Sequence, residues 1–173
     1  MIESGLGFIV DKLTNSIEHS FTGVRYETEV ALINRKELKL VARKEGWVFN
    51  WRNEFKRPAC AVYKLTIIHD PNSIQGLVCI EVKTDHVYMH LVESAPFNKG
   101  KNKLYSGVPG NLVAFACKLS FQLGHRGTVS FLSKTQLIAH YEKSLGAYHI
   151  GGRVMVIETQ NALKLMNTYF KNL

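Results

Sequence analysis

Between Phe97 and Gly110 the chain reads FNKGKNKLYSGVPG, and a helical pattern begins directly behind it. Lys99, Lys101 and Lys103 supply positive charge. Gly107 and Gly110 let a ligand approach the backbone closely. A helix N-terminus presents unpaired N–H groups and the positive end of its dipole. Set directly after a strand, these features fit a site for a phosphate or nucleotide diphosphate. The spacing matches neither the Walker loop nor the dinucleotide fingerprint. A solvated turn with surface lysines is the alternative.

Other reactive side chains give less. Cys60, Cys79 and Cys117 are odd in number and set among apolar residues. They read as reduced core residues of a cytoplasmic protein. His69, His86, His90, His125, His140 and His149 lack the spacing of a metal site, so no metal is expected. Trp47, Phe49 and Trp51 alternate, as a core face does, although they could line an acceptor pocket. The basic stretch from Arg35 to Arg57 could bind RNA. It also carries Glu37, Glu45 and Glu54, as a solvated face would.

The elements that position these groups follow from pattern. The 173 residues carry 22 Lys and Arg against 14 Asp and Glu, a formal charge of +8, which favours acidic partners. The length suits one domain. No apolar run approaches the roughly 18 residues of a membrane span. The start, Met1 to Gly5, lacks the basic flank and apolar core of a signal peptide.

The spacing of Phe8, Ile9, Leu13 and Ile17 predicts a short helix from Phe8 to Glu18. Thr22 to Ile33 alternates as a strand. Asn34, with Glu37 three residues on, predicts a capped helix from Arg35 to Lys44 ended by Gly46. Trp47 to Arg52 reads as a strand. Cys60 to His69, Gln75 to Thr84 and His86 to Glu93 predict an antiparallel meander, with a turn at Asp70-Pro71-Asn72. A helix is expected from Asn111 to Leu123, capped by Gly124. A strand (Thr128 to Leu132), a helix (Thr135 to Ser144), a strand (Arg153 to Glu158) and a helix (Gln160 to Phe170) complete an α/β order with a mixed sheet.

Three segments together resemble the GNAT superfamily of acetyl-CoA-dependent N-acetyltransferases. They are the strand ending His90-Leu-Val-Glu-Ser-Ala-Pro96, the turn Gly107-Val-Pro-Gly-Asn-Leu112 before an apolar helix, and Ala139-His-Tyr-Glu-Lys-Ser-Leu-Gly-Ala147 before the strand Val154–Ile157. The glycines are one residue farther apart than in the family's Gly-x-Gly. Leu104 stands where the family has Arg or Gln, and Ala147 where it has Phe.

The resemblance implies one GNAT-like domain over residues 1–173, its first 59 the least legible. The fold would be α/β (α+β), a mixed, mostly antiparallel sheet flanked by helices, with one strand pair splayed for the cofactor. The pantetheine arm of acetyl-CoA would pair with Leu91, Val92 and Glu93. The pyrophosphate would sit at Gly107, Val108, Gly110 and Asn111, with Lys103 beside it. Tyr141 would be the general acid that protonates the leaving thiolate. Glu93 would be the general base, with Glu81, His90 or a water relay as alternatives. Direct attack by the amine needs no covalent intermediate. The implied function is acetyl transfer to a primary amine of a small molecule, a protein or a charged tRNA. A non-catalytic CoA-binding or nucleic-acid-binding module is the alternative. No membrane partner and a possible homodimer are expected.

Overall fold

The computed structural model describes residues 5–170. Met1 to Ser4 lie outside the described residues. Seven strands form the main sheet. They are β3 (Thr28–Leu32), β4 (Cys60–Ile67), β5 (Asp70–Val82), β6 (Val87–Ser94), β8 (Val129–Leu132), β9 (Tyr148–Gly151) and β10 (Val154–Ile157). Their order across the sheet is β3-β4-β5-β6-β8-β10-β9. Every neighbouring pair is antiparallel except β6 and β8. A second sheet joins β1 (Ile17–His19), β2 (Arg25–Tyr26) and β7 (Tyr105–Ser106) in the order β2-β1-β7. The helices are α1 (Trp51–Lys56), α2 (Val108–Gln122), α3 (Ile138–Leu145) and α4 (Thr159–Tyr169).

The central strands are apolar on both faces because both faces are covered. Along β5, Val78 and Ile80 enter a core shared with α2, α3 and α4, through Leu112, Val113, Tyr141 and Tyr169. Leu77 and Cys79, on the opposite face by strand alternation, pack with Trp47, Trp51, Leu38 and Val41. The near-continuous apolar run GLVCI is the sequence mark of that double burial.

The three strands of the meander, and β8, α3, β10 and α4, stand close to where the sequence put them. Asn34 and Glu37 form the expected capping box. The turns it opens, Arg35–Val41 and Arg43–Glu45, are 3₁₀, and Gly46 closes them with φ of 97°.

Elsewhere the structure corrects the pattern. The helix expected from Phe8 to Glu18 is absent: residues 7–14 hold no helix, 15–16 form a bend and Ile17–His19 is strand β1. Leu6, Phe8 and Val10 are buried while Ile9 is 51% exposed, which is a period of two, not 3.6. The strand expected from Trp47 is absent. Trp47 and Trp51 are both buried four residues apart, and Asn50 caps α1 by accepting from the Asn53 N–H. The expected strand over Thr22 to Ile33 divides between the two sheets. The turn lies at Ile68 and His69, and Asp70 already pairs with Ile67. Strand β9 escaped notice because all four of its residues are exposed at a sheet edge.

Helix α2 begins at Val108, three residues earlier than expected, so the glycine turn is its first turn. Gly107 takes φ of 94° at its N-cap. Gly110 lies against the Tyr169 hydroxyl, closer than any added Cβ allows. That hydroxyl donates to the Lys12 carbonyl at 2.8 Å, so Tyr169 is held in place. Gly110→Ala is therefore expected to lower stability by about 1–3 kcal/mol through overpacking, read as a lower urea midpoint with the m-value kept.

Candidate active site

Strands β6 and β8 pair only through Val87 with Val129, Tyr88 with Ser130 and Met89 with Phe131. His90 is the next residue of β6, and there the register with β5 shifts. Met89 faces Ile80, whereas Leu91 faces Cys79, so His90 is an extra residue on β6. Such a bulge bends a strand and increases its twist. Beyond it, β6 keeps β5 as its strand partner and parts from β8.

The N-terminal segment takes up the edge that β8 loses. The Leu6 N–H donates to the Leu132 carbonyl at 2.6 Å, and the Lys134 N–H donates to the Leu6 carbonyl at 3.0 Å. The Phe8 ring packs 4.8 Å from Tyr141 and 5.8 Å from Phe131, centroid to centroid. The Tyr141 hydroxyl donates to the Phe8 carbonyl at 2.5 Å. The Val10 N–H donates to His140 Nε2 at 3.0 Å. Burial pushes the Tyr141 phenol above its ordinary range.

Between this segment and β6 lies a cavity of about 330 Å³. Leu6, Gly7, Phe8 and Ile9 form one wall, and Leu91, Val92, Glu93 and Ser94 the other. One end reaches Lys99, Lys103 and Pro109, close to the start of α2. There an internal carboxylate already occupies an anion position. Asp11 Oδ1 accepts the Gly107 N–H at 3.1 Å, and Asp11 Oδ2 pairs with Lys103 Nζ at 2.7 Å.

Past the other end is a smaller cavity of about 220 Å³, which shares Gly5, Leu6, Phe49 and Leu91 with the first. It is also lined by Tyr88, His90 and Leu132, where the strands part. The His90 ring is steadied from two sides. Its Nε2 lies 2.8 Å from Glu81 Oε1, and the Tyr88 ring meets it edge-on at 4.7 Å. Glu81 in turn pairs with Lys83 at 2.8 Å. Lys83 first and His90 second hold the Glu81 carboxyl down at about 2. With Nε2–H donating to Glu81, Nδ1 carries the lone pair, and it is buried with no partner among the described residues.

Glu93 is fully engaged. Its carboxylate accepts from the Val48 N–H at 2.8 Å, the Phe49 N–H at 3.3 Å and the Trp51 indole N–H at 2.8 Å. Lys99 Nζ is 2.6 Å away. These bonds anchor the segment leading into α1.

The structure thus gathers Leu91, Val92, Glu93 and Lys103 around one cavity. Gly107, Val108, Gly110 and Asn111 lie buried behind Pro109 at its end. The Asn111 amide turns to Thr28 Oγ1, donating at 3.2 Å. Tyr141 lines neither cavity, because the N-terminal segment stands over its hydroxyl.

Cys60, Glu81 and His90, from three adjacent strands, offer ligand atoms within 4.8 Å of one another. Sequence spacing cannot show such a set. Burial and the Glu81 charge raise the Cys60 thiol, and Lys83 holds the other Glu81 oxygen, both of which oppose metal ligation. Sequence reasoning missed the N-terminal wall. The alternation of Leu6, Phe8 and Val10 was its one signal, and Asp11 left none.

No protein-family model and no curated protein matches the sequence. Solved structures of N-acetyltransferases share the fold. One is an engineered chimera of the spermidine N-acetyltransferase SpeG from Vibrio cholerae and hSSAT. It superimposes with a TM-score of 0.53 at 15% identity, over 79% of this chain and 98% of that one. Another is the Vibrio cholerae spermidine N-acetyltransferase in complex with CoA and spermine. It gives a TM-score of 0.50 at 15% identity, again over 79% of this chain and 98% of that one. Among the described residues, no helix is long and apolar enough to cross a membrane.

The depressed Glu81 carboxyl makes stability depend on pH. An unfolded glutamate titrates near 4.3. The paired, ionised form stabilises the fold above that value, and the contribution is lost as pH falls toward 2. Urea denaturation at several pH values should show wild type more stable than Glu81→Gln at pH 6. The difference should shrink steadily between about pH 5 and pH 2.

Proposed function

We propose that the protein transfers an acetyl group from acetyl-CoA to a primary amine. One observation carries the proposal. The parted strand β6 borders a cavity whose end, at Lys103 and the first turn of α2, already holds an internal anion. A site that binds a carboxylate through a helix-start N–H and a lysine has the chemistry to bind a phosphate there. The SpeG structure with CoA and spermine, which shares the fold, supports a CoA-type donor and an amine acceptor.

Acetyl-CoA would supply the activated acyl group. The main chain of Leu91, Val92 and Glu93 would line its arm. The Gly107 N–H, which Asp11 now accepts, would receive the pyrophosphate beside Lys103, with Asp11 yielding its place; Val108, Gly110 and Asn111 are buried behind it and shape the turn, the Asn111 N–H already donating to the Gly107 carbonyl. The acceptor would enter from the smaller cavity, where the strands part. Its ammonium must lose a proton before its lone pair can attack. His90 Nδ1 has a free lone pair and a ring fixed by Glu81, so we assign it that proton. Glu93, with four donors on its carboxylate, serves better as the anchor of residues 48–51 than as a base. Tyr141 serves by pinning the Phe8 carbonyl and with it the cavity wall.

Isothermal calorimetry with acetyl-CoA tests the site. Wild type should bind. Lys103→Ala should weaken binding by about tenfold, whereas Asp11→Ala, which removes the internal competitor, should tighten it by about tenfold. No binding by wild type would end the proposal.

Turnover over a panel of amines tests the chemistry. His90→Gln should keep the acetyl-CoA affinity and lower kcat by about 10²-fold. An unchanged kcat would remove His90 from the reaction. Binding without turnover of any amine would leave a CoA-binding module.

A further inference from the structure

The cavity between the N-terminal segment and β6 is bordered by two strand edges, and both edges turn unpaired main-chain groups into it. In an extended chain, alternate residues direct their N–H and C=O groups to opposite sides. On the N-terminal segment, Leu6 bonds to Leu132 and Lys134, Phe8 O accepts from Tyr141, and Val10 N–H donates to His140. The even-numbered residues therefore face β8 and α3. Gly7 and Ile9 face the other way, toward β6. Among the described residues, neither makes a main-chain hydrogen bond.

On β6 the same logic runs in mirror image. The Ala95 N–H donates to the Gln75 carbonyl at 2.9 Å, and Ser94 stands opposite Gly76. The main-chain groups of Leu91 and Glu93 therefore face β5, and those of Val92 and Ser94 face the cavity. Gly7, Ile9, Val92 and Ser94 all line it. Its volume of about 330 Å³ falls in the range of small-molecule sites. Val92 and Ser94 are buried, and buried N–H and C=O groups rarely go without partners, so their edge, faced across the cavity by the exposed Gly7 and Ile9, leaves room for one extended, amide-bearing chain.

We infer that the N-terminal segment is the second wall of the ligand channel. An extended ligand with secondary amides lies between the two edges as a missing strand, bonding to Val92 on one side and to Gly7 or Ile9 on the other. This rests on the proposed acetyl-CoA site and adds to it. The arm is gripped from both sides, where the parting of β6 and β8 alone leaves it one strand edge. The wall itself is fixed, because Leu6, Phe8 and Val10 are core residues. The grip is therefore built before the ligand arrives, which lowers the ordering cost of binding.

The test compares two ligands. Acetyl-CoA has the amide-bearing arm, and adenosine 3′,5′-bisphosphate has the nucleotide without it. Ile9→Pro deletes the cavity-facing N–H of an exposed residue whose own N–H bonds to nothing, so the wall can keep its other bonds. It should weaken acetyl-CoA by about three- to tenfold and leave the bisphosphate unchanged, with Ile9→Ala close to wild type. Amide hydrogen exchange on the unaltered protein gives a second readout that needs no variant. Adding acetyl-CoA should slow exchange at Gly7 or Ile9 as well as at Val92. Equal acetyl-CoA affinity in Ile9→Pro and wild type, or protection confined to β6, overturns the inference and leaves the proposed function standing. No acetyl-CoA binding by wild type overturns both.

Discussion

A main-chain N–H or C=O that loses its neighbour inside a protein must find another partner, and that need shapes this molecule around Met89. The extra residue His90 turns β6 away from β8, so each strand has an edge without its neighbour. The edge extending β8 takes the N-terminal segment, which brings Leu6, Phe8 and Val10 into the main core. The edge of β6 stays open and becomes one side of the larger cavity. One register shift therefore explains the position of the first described residues, the cavity and the placing of His90 in the smaller cavity beyond it.

The ion pairs serve the same arrangement. Three carboxylates hold two pieces of backbone and one imidazole ring near the cavities, each with a lysine beside it. Asp11 with Lys103 ties the N-terminal segment to the first turn of α2. Glu93 with Lys99 ties the segment before α1 to β6. Glu81 with Lys83 steadies His90. An isolated pair at a surface contributes little. Here each carboxylate also accepts from a main-chain, indole or ring N–H, so its geometry is set by several bonds at once. Lys99 and Lys103, the partners of Glu93 and Asp11, both line the larger cavity.

Much of the frame was legible in the residues. Strands β4, β5 and β6 follow from runs of β-branched and apolar residues. Helices α2 and α4 follow from apolar spacing, and the Asn34 capping box from two residues three apart. The Gly107-to-Asn111 turn marked a helix start. The resemblance carried by residues 90–157 led to the same fold that the solved structures share. These signals are local, set by neighbours within a few positions on the chain.

The functional surroundings were not legible, because contacts between distant residues create them. Glu93, on an apolar strand end, looked like a free base until the segment around Val48 and Trp51 folded over its carboxylate. Tyr141 looked like an acid until Phe8, 133 positions away, placed a carbonyl on its hydroxyl. Gly110 looked like a phosphate turn, but Tyr169 fills the space beside it. Asp11 carried no pattern, yet it accepts the Gly107 N–H and pairs with Lys103. By itself, the sequence determined most of the strands and helices from residue 60 onward, since backbone preference and periodicity act over short range. The tertiary structure decided which carboxylates are anchors, which ring nitrogen stays unpartnered and what walls the cavity, since a side chain's role depends on whichever distant groups packing brings to it.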